Sequence, residues 1–336
     1  VSKIPTPGSA RIALAALAIV PAVLAYPWHS ARDYWLIGIA VVAVIVLFGW
    51  WRGLHFTTIL RRRLAIMGRR SHPTSEPGAE SAVAAKATAL VRIGPSTADD
   101  AVFPLELIAS YLDRYGIRAD KVRITSRDNA SDTSRRETWI GITVSAAENL
   151  AALQARSSRI PLYETAEVAA RRLADHLREI GWEATVVAAD DVPRWLTANA
   201  RESWRAVQRG TSDYVAAYQI AVDSGLPETL EAIRSHSARE TCTAIEIAGP
   251  SSGDRNTIAA ACAFLTDAPP ELALPVAGLI PQRGNQGPAL AALDLLSTQR
   301  LDGHTEAPAG LLASLDWPTP VTGAHRAVRT EAPSPA

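Results

Sequence analysis

The sequence predicts an α+β domain, a mixed sheet with helices whose first half follows a split-βαβ order, preceded by a two-helix transmembrane hairpin. Three observations predict it. Tyr34 to Trp51 are eighteen consecutive residues without a charge. Arginines follow that run at once. From about residue 86 onward, short alternating apolar runs are interleaved with segments of helical period.

The hairpin comes first in the chain. Ile12 to Pro27 is an apolar run of sixteen residues interrupted by Pro21. With Lys3 and Arg11 ahead of it and Ala25 near a cleavage point, it could serve as a signal peptide. Cleavage would leave the second run as a lone anchor a few residues later. Two spans, residues 12–27 and 34–51, joined by His29 to Asp33, form the simpler arrangement. Neighbouring helices or water can satisfy the carbonyl that Pro21 frees. At 1.5 Å per residue, the second run covers roughly 27 Å of a hydrocarbon core about 30 Å thick. Trp28, Tyr34 and Trp35 stand at one end and Trp50 and Trp51 at the other, where aromatic rings favour the membrane–water interface.

Charge sets the orientation. Lys3 and Arg11 flank the first span, and Arg52, Arg61, Arg62, Arg63, Arg69 and Arg70 follow the second with no acid between them. Positive residues stay on the cytoplasmic side. Both termini and the large domain are therefore expected in the cytoplasm, with the hairpin in a bacterial plasma membrane. Residues 1–11 form the N-terminus, and residues 52–85 form a basic juxtamembrane segment and linker. Arg52 and Arg61 to Arg63 are candidates to meet anionic lipid or a partner, at about 1 kcal/mol per residue for lipid. A solvated helix extension would give the same topology.

The whole chain is neutral, with 34 basic and 34 acidic side chains. Residues 1–71 hold nine basic and one acidic, or +8, so the remainder carries −8. An acidic domain does not suit nucleic acid, whose binders show basic patches. Only three basic residues are Lys, and Arg and Ala are heavily used, a bias that suits a high-GC bacterium. Cys242 and Cys262 make no disulfide framework and fit a reducing compartment. Neither has a Cys or His at metal-site spacing.

The α+β domain is expected over residues 86–315. Thr88 to Ile93 reads as a strand. Val102 to Gly116 reads as a helix, with Leu105, Ile108, Leu112 and Tyr115 on one face, Asp99 or Asp100 near its start and Gly116 as its stop. Lys121 to Ser126 alternates, with Val122 and Ile124 on one side, and Thr138 to Val144 is the next strand. Thr165 to Ile180 is the strongest helix, with a stripe of Ala166, Ala169, Leu173, Leu177 and Ile180 and with Gly181 as its stop. A strand from Ala184 completes a β-α-β-β-α-β order, the split-βαβ arrangement. In the second half, "ESWRAVQ" and "DYVAAYQIAV" read as strands meeting at "RGTS", and "PETLEAIRSH" reads as a helix. "CTAIEIA" and "TIAAACAFLT" read as paired strands around "GPSSGDRN". Residues 316–336 read as a Pro-rich disordered tail.

Chemical motifs are thin. Gly249 to Thr257 is Gly- and Ser-rich, but a phosphate-gripping loop needs Lys after its last Gly, and here Asp254 follows Gly253. A hairpin loop accounts for it better. Asp99–Asp100 and Asp190–Asp191 could hold a divalent metal, although capping a helix or ending a strand explains such pairs as well. His176 lies on the polar face of the Thr165–Ile180 helix and reads as a solvated side chain. A phosphoacceptor role would require a sensor, and five connecting residues cannot supply one. No catalytic, cofactor-binding or metal-ligating set emerges, and no cofactor is expected.

The chain resembles a family through its combined pattern: the hairpin with "YPWHSARDYW", the exit "GWWRGL…RRR", the stretch "TWIGITVSAAENLAALQARSSRIPLYETAEVAARRLADHLREIGWEATVV", and "LPVAGLIPQRGNQGPALAAL". It is similar to EccE, a membrane component of the mycobacterial type VII (ESX) secretion system, and within that system to the fifth paralogue. The resemblance implies a non-catalytic inner-membrane subunit at the periphery of a multisubunit channel, beside EccD, the ATPase EccC and the single-span EccB. The other class to weigh is a membrane-tethered enzyme of glycosyltransferase-like type. Convergent carboxylates in a pocket, with a perturbed titratable group, would reveal it.

Overall fold

The computed structural model divides the chain into two compact units, Val1–Pro73 and Thr74–Ala336. It describes residues 54–71, 85–97, 102–130, 132–156, 161–193, 200–249, 255–308 and 310–318, together with scattered positions between 16 and 51.

In the first unit, the described positions of the two apolar runs up to residue 44 are helical, and those with described side chains are largely exposed, including Leu17, Val20, Trp35 and Val42. Among the described residues, no helix is long and apolar enough to cross a membrane. The second run was expected to stay helical through Trp51. Instead Trp50–Trp51 (β1) pairs antiparallel with Leu54–His55 (β2). Bulky aromatic residues favour extended backbone. Helix α1, Phe56–Ser71, follows directly.

The second unit is built on one twelve-stranded sheet. Its first half contains β3 (Lys86–Ser96), α2 (Leu105–Ala109), β4 (Asp113–Arg114), β5 (Ile117–Asn129), β6 (Asp132–Ser145), α3 (Leu150–Arg156), α4 (Leu162–Glu179) and β7 (Trp182–Val187). The strands lie in the order β7–β3–β6–β5. Numbered along the chain, that is 4-1-3-2, the split-βαβ arrangement expected from the sequence. The second half contains β8 (Arg201–Glu202), β9 (Val207–Arg209), β10 (Asp213–Ile220), α5 (Leu226–Ser235), β11 (Glu240–Ala248), β12 (Thr257–Thr266), β13 (Leu279–Pro281), α6 (Gln286–Leu293), β14 (Thr305–Glu306) and α7 (Leu311–Ser314). Here β11–β12–β10 continue the sheet, and β13 pairs with β10. The order is 2-3-1-4, the mirror of the first half. The two second strands, β5 and β11, join the halves through nine antiparallel residue pairs, from Lys121↔Ala248 to Glu240↔Asn129.

Every described strand pair is antiparallel, so the expected mixed sheet is corrected to an antiparallel one. The reason is topological. In each half the third strand inserts between the first and second, so the crossover helix joins strands that are parallel but not neighbours.

The sheet's two faces differ. Val91, Val122, Ile124, Ile140, Ile142, Ile245, Ile247 and Cys262 point to one face, where they pack with residues of α2, α4, α5 and α7 in one core. Helix α4 buries Ala166, Ala170, Leu173, Ala174 and Leu177 against it. The expected stripe is therefore right at three positions. Ala169 is only partly buried, and Ile180 is exposed beyond the helix end, where Gly181 (φ +92°) reverses the chain. On the opposite face, Val215, Cys242, Ala244 and Ala261 pack with Leu290 and Leu293 of α6, and Leu90 and Trp139 pack with Leu295. The two cysteines thus belong to opposite faces of adjacent strands, and both are free.

Three further expectations are corrected. The helix read from Val102 to Gly116 is only α2 plus a 3-10 turn, Ser110–Leu112. The chain then becomes β4 and turns back through Tyr115 and Gly116, both at positive φ, a geometry that no helix continues. "ESWRAVQ" is two short strands, β8 and β9, instead of one. Trp317, assigned to the tail, is fully buried in the main core, because an indole buries more apolar area than almost any other side chain.

Candidate functional site

Among the described residues, a buried group of ionisable side chains forms where the two halves of the sheet meet. Strand alternation sends Val122 and Ile124 to the helix-covered face and Lys121 and Arg123 to the other. Glu246 does the same between Ile245 and Ile247. The register of β5 on β11 then places Glu246 directly opposite Arg123. Arg123 Nε donates to Glu246 Oε2 at 2.8 Å, and Lys121 Nζ lies 3.2 Å from the same oxygen. The other oxygen accepts from the Leu301 amide at 2.9 Å and lies 3.0 Å from His304 Nε2, whose Nδ1 is 3.0 Å from Thr257 Oγ1.

Both cations also reach the chain that covers them. Arg123 donates to the carbonyls of Ala292 at 2.5 Å, Asp294 at 3.1 Å and Gln299 at 2.8 Å, and Lys121 donates to Gln299. Next to them, Asp120 accepts from Lys86 at 2.9 Å and from Arg300 at 2.8 Å. Residues 292–304 are thereby strapped across the junction.

The electrostatics follow from burial and charge count. Burial alone would raise the Glu246 carboxyl. The His304 hydrogen bond and the charges of Arg123 and Lys121 more than offset this, so its pKa is held below the ordinary carboxylate range. Burial, then the like charge of Arg123, lowers Lys121 from 10.5 to about 7, because one carboxylate serves two cations. Perturbed groups of this kind also mark active sites. Here Glu246 is 0% exposed and Lys121 1%, and their polar atoms are occupied by one another and by the strap. A substrate has no approach to them, and the arrangement fits a latch.

These residues were missed in the sequence, although a signal was present. Two cations at i and i+2 in a strand, and one carboxylate inside an apolar strand, indicate buried pairing.

Among the residues singled out from the sequence, Arg61, Arg62 and Arg63 lie on α1, with Arg61 and Arg63 exposed and Arg62 half-buried. Trp35 is exposed. Trp50 and Trp51 form β1. Arg52 and Trp28 lie outside the described residues, as do Asp99, Asp100 and residues 250–254 of the Gly/Ser loop. Asp190 and Asp191 sit exposed in a 3-10 turn after β7. His176 is half-buried instead of solvated, with Nδ1 3.5 Å from the Tyr111 hydroxyl. Among the described residues, no three His, Cys, Asp or Glu side chains are grouped to hold a metal.

Residues 133–220, which run from β6 to the end of β10, match the family described as "Putative type VII ESX secretion system translocon, EccE". The chain is 59% identical to the "ESX-3 secretion system protein EccE3" of Mycobacterium tuberculosis (strain CDC 1551 / Oshkosh), over 98% of this chain and 97% of that protein. It is 48% identical to the protein of the same name from Mycolicibacterium smegmatis, over 88% of this chain and 90% of that protein. These relatives carry the name of the third ESX system and not the expected fifth. With such identity across nearly its whole length, the chain belongs to the EccE family.

Proposed function

We propose that the chain is a structural subunit of a type VII secretion complex of the ESX-3 type, supporting assembly and stability of the export machine in the bacterial plasma membrane. The observation that carries this reading is near-full-length similarity to proteins named as ESX-3 components. The chemistry of the domain agrees with it. Three shallow recesses, each with room for little more than a water molecule, are lined by one carboxylate or none, Glu271 and Asp302 being the two. The perturbed pair Lys121 and Glu246 lines none of them. The glycosyltransferase-like alternative finds no support there.

The two apolar runs form a membrane hairpin in this reading, and residues 72–336 are cytoplasmic. Helix α1 supports a membrane-surface role for the arginines. Leu60, Leu64 and Met67 recur at i, i+4 and i+7 and are exposed, as are Arg61 and Arg63. An apolar stripe beside a basic one suits the headgroup boundary of an anionic leaflet. Arg52, Trp28, Trp35, Trp50 and Trp51 complete the interfacial set, and the neighbours are the other ESX membrane subunits, EccD, EccC and EccB.

Purification of the complex through a tag on this chain tests the assignment, with co-purification of the other ESX membrane subunits expected. Recovery of the tagged chain alone, from gently solubilised membranes that still contain those subunits, would contradict it. Cysteines placed at Ser75 and Ser314 should resist an impermeant thiol reagent in intact cells. Rapid labelling of both would reverse the topology.

A further inference from the structure

The two outer edges of the sheet are finished differently. At one end the edge is broken up. β8 has two residues and β13 three, the last of them Pro281, which has no amide hydrogen to offer. Between β9 and β13 the Gln286 side chain takes the place of a strand. Its Oε1 accepts from the Ala217 amide at 2.7 Å, and its Nε2 donates to the Ala217 carbonyl at 3.4 Å. At the other end stands β7, six residues that include no proline, lysine or glycine. β7 pairs with β3 on one side, and among the described residues nothing pairs with its other side. Its one charge is turned inward. A Cβ on Gly94 of β3 would stand 2.6 Å from Glu183 Oε2, so the bare glycine makes room for this carboxylate to lie across β3. An edge left in this state is a template for another strand.

Three features match the edge to a second copy of itself. The first is register. Directly opposed residues of paired strands point to the same face. Trp182, Ala184 and Val186 belong to the helix-covered core. An antiparallel mate centred on Thr185 sets Ala184 against Val186, Thr185 against Thr185 and Glu183 against Val187. Core side then meets core side, and no like charges are opposed. The second is spacing. The twofold axis of such a pair is perpendicular to the sheet, so both α4 helices lie on one face and run antiparallel. α4 lies over β3 and β7. With strands about 4.8 Å apart, the two helix axes come to roughly 10–13 Å, a gap that long side chains bridge. The third is charge. Val168, Ala169 and Arg172 of α4 border the recess over Ile117, Ala119 and Ile142, so the helical period turns Tyr163, Glu167, Arg171 and Arg178 towards the β7 edge. Within one copy Arg171 pairs with Glu167 at 2.9 Å and Arg178 with Asp175 at 2.5 Å. Antiparallel mates bring the Glu164 and Glu167 end of one flank beside the Arg171 and Arg178 end of the other. A lone strand from another protein would satisfy the edge but would leave this flank of α4 without a counterpart.

We infer that β7 is a self-association edge. Two copies of this chain join through antiparallel β7 strands into one continuous sheet, with their α4 helices side by side. The contact is between copies of this chain and goes beyond membership of a secretion complex.

The full-length chain carrying Thr185→Cys, treated with a mild oxidant in its native membrane, tests the inference. At the axis a residue faces its own copy at a Cα separation of about 4.5–5.5 Å, within disulfide range. A disulfide-linked dimer is expected. Glu183→Cys and Val187→Cys each lie four residues from their own copies, roughly 13 Å. Each alone should couple about tenfold less than Thr185→Cys, and the two should couple to one another when expressed together. The native Cys242 and Cys262 are buried and do not interfere. Thr185→Lys sets like charges across the axis and should lower that mixed yield about three- to fivefold. Thr185 is exposed, so the melting temperature of this variant should match wild type. No dimer, coupling to a different protein instead, equal self-coupling at all three positions, or a mixed yield that Thr185→Lys leaves unchanged overturns the inference. A chain that co-purifies with the ESX subunits but never couples to its own copy overturns this inference alone and leaves the subunit assignment standing.

Discussion

The two faces of the sheet solve the same problem by different means at the same place. Where β5 meets β11, one face presents Val122, Ile124, Ile245 and Ile247 to a helix-covered core. The other presents Lys121, Arg123 and Glu246 to a strap of irregular chain. Apolar packing is non-directional and tolerates any cover of suitable shape. A strap without helical hydrogen bonds buries carbonyls and amides that need partners. The buried cations supply donors to Ala292, Asp294 and Gln299, and the buried carboxylate accepts from Leu301. The ionic face thus fixes one path for the strap. The apolar face supplies the bulk of the stabilisation, at roughly 1.5–3 kcal/mol per large side chain.

The largest effect should come from breaking the apolar face. Leu173 is fully buried on α4, and Leu173→Asp would place an unpaired carboxylate in the core. The expected outcome is loss of the cooperative melting transition and of complex assembly together. An unchanged melting temperature would mean that α4 is not needed to close the core.

Breaking the latch should cost less. Glu246→Ala leaves Arg123 and Lys121 buried without their carboxylate, a loss of about 3–5 kcal/mol for a broken buried pair. Denaturant titration measures it, and limited proteolysis should show cleavage within residues 292–304 before the sheet itself opens. Equal protection of the strap in wild type and variant would remove the latch from the account.

Lys121→Met sharpens the comparison, because it removes the surplus cation and keeps the volume. Glu246 and the Gln299 carbonyl both keep Arg123 as a partner, so the change leaves no buried charge unpaired and the denaturation midpoint should hold or rise. The pH dependence has a definite sign. With the pKa of Lys121 lowered to about 7 in the fold, the unfolded chain binds more protons between about 7 and 10.5, and this group's contribution to stability rises with pH across that window. Methionine should flatten that slope. Glu246 adds its own dependence at acid pH, its contribution being complete above the ordinary value of 4.5 and lost as pH falls below it. A Lys121→Met chain with an unchanged slope from pH 7 to 9 would show that another group titrates there.

The faces also differ in how far the sequence reveals them. Period-two alternation and the α4 stripe mark the apolar face, and with it the split-βαβ order of the first half. Alternation states which residues share a side but not which strand lies opposite. The junction of β5 with β11, and so the meeting of Arg123 with Glu246, is a long-range register that local pattern does not encode. Tyr115 was hidden for a different reason. Its spacing from Leu105, Ile108 and Leu112 continues the apolar period of a helix, and only the positive φ of Tyr115 and Gly116 shows that the chain has already turned. Trp317 was hidden by composition, since the prolines beside it resemble those of the residues that follow, while its indole fills the core.

The central proposal is that this chain acts through contact surface and not through a chemical centre. Complementation of a deletion strain by single alanine variants at Asp99, Asp100, His176, Asp190 and Asp191 tests it most directly, with export and complex assembly measured on the same cells. The account predicts export near wild type for each, alongside normal assembly. One variant that assembles fully yet exports nothing would contradict it and return the chain to the enzymes.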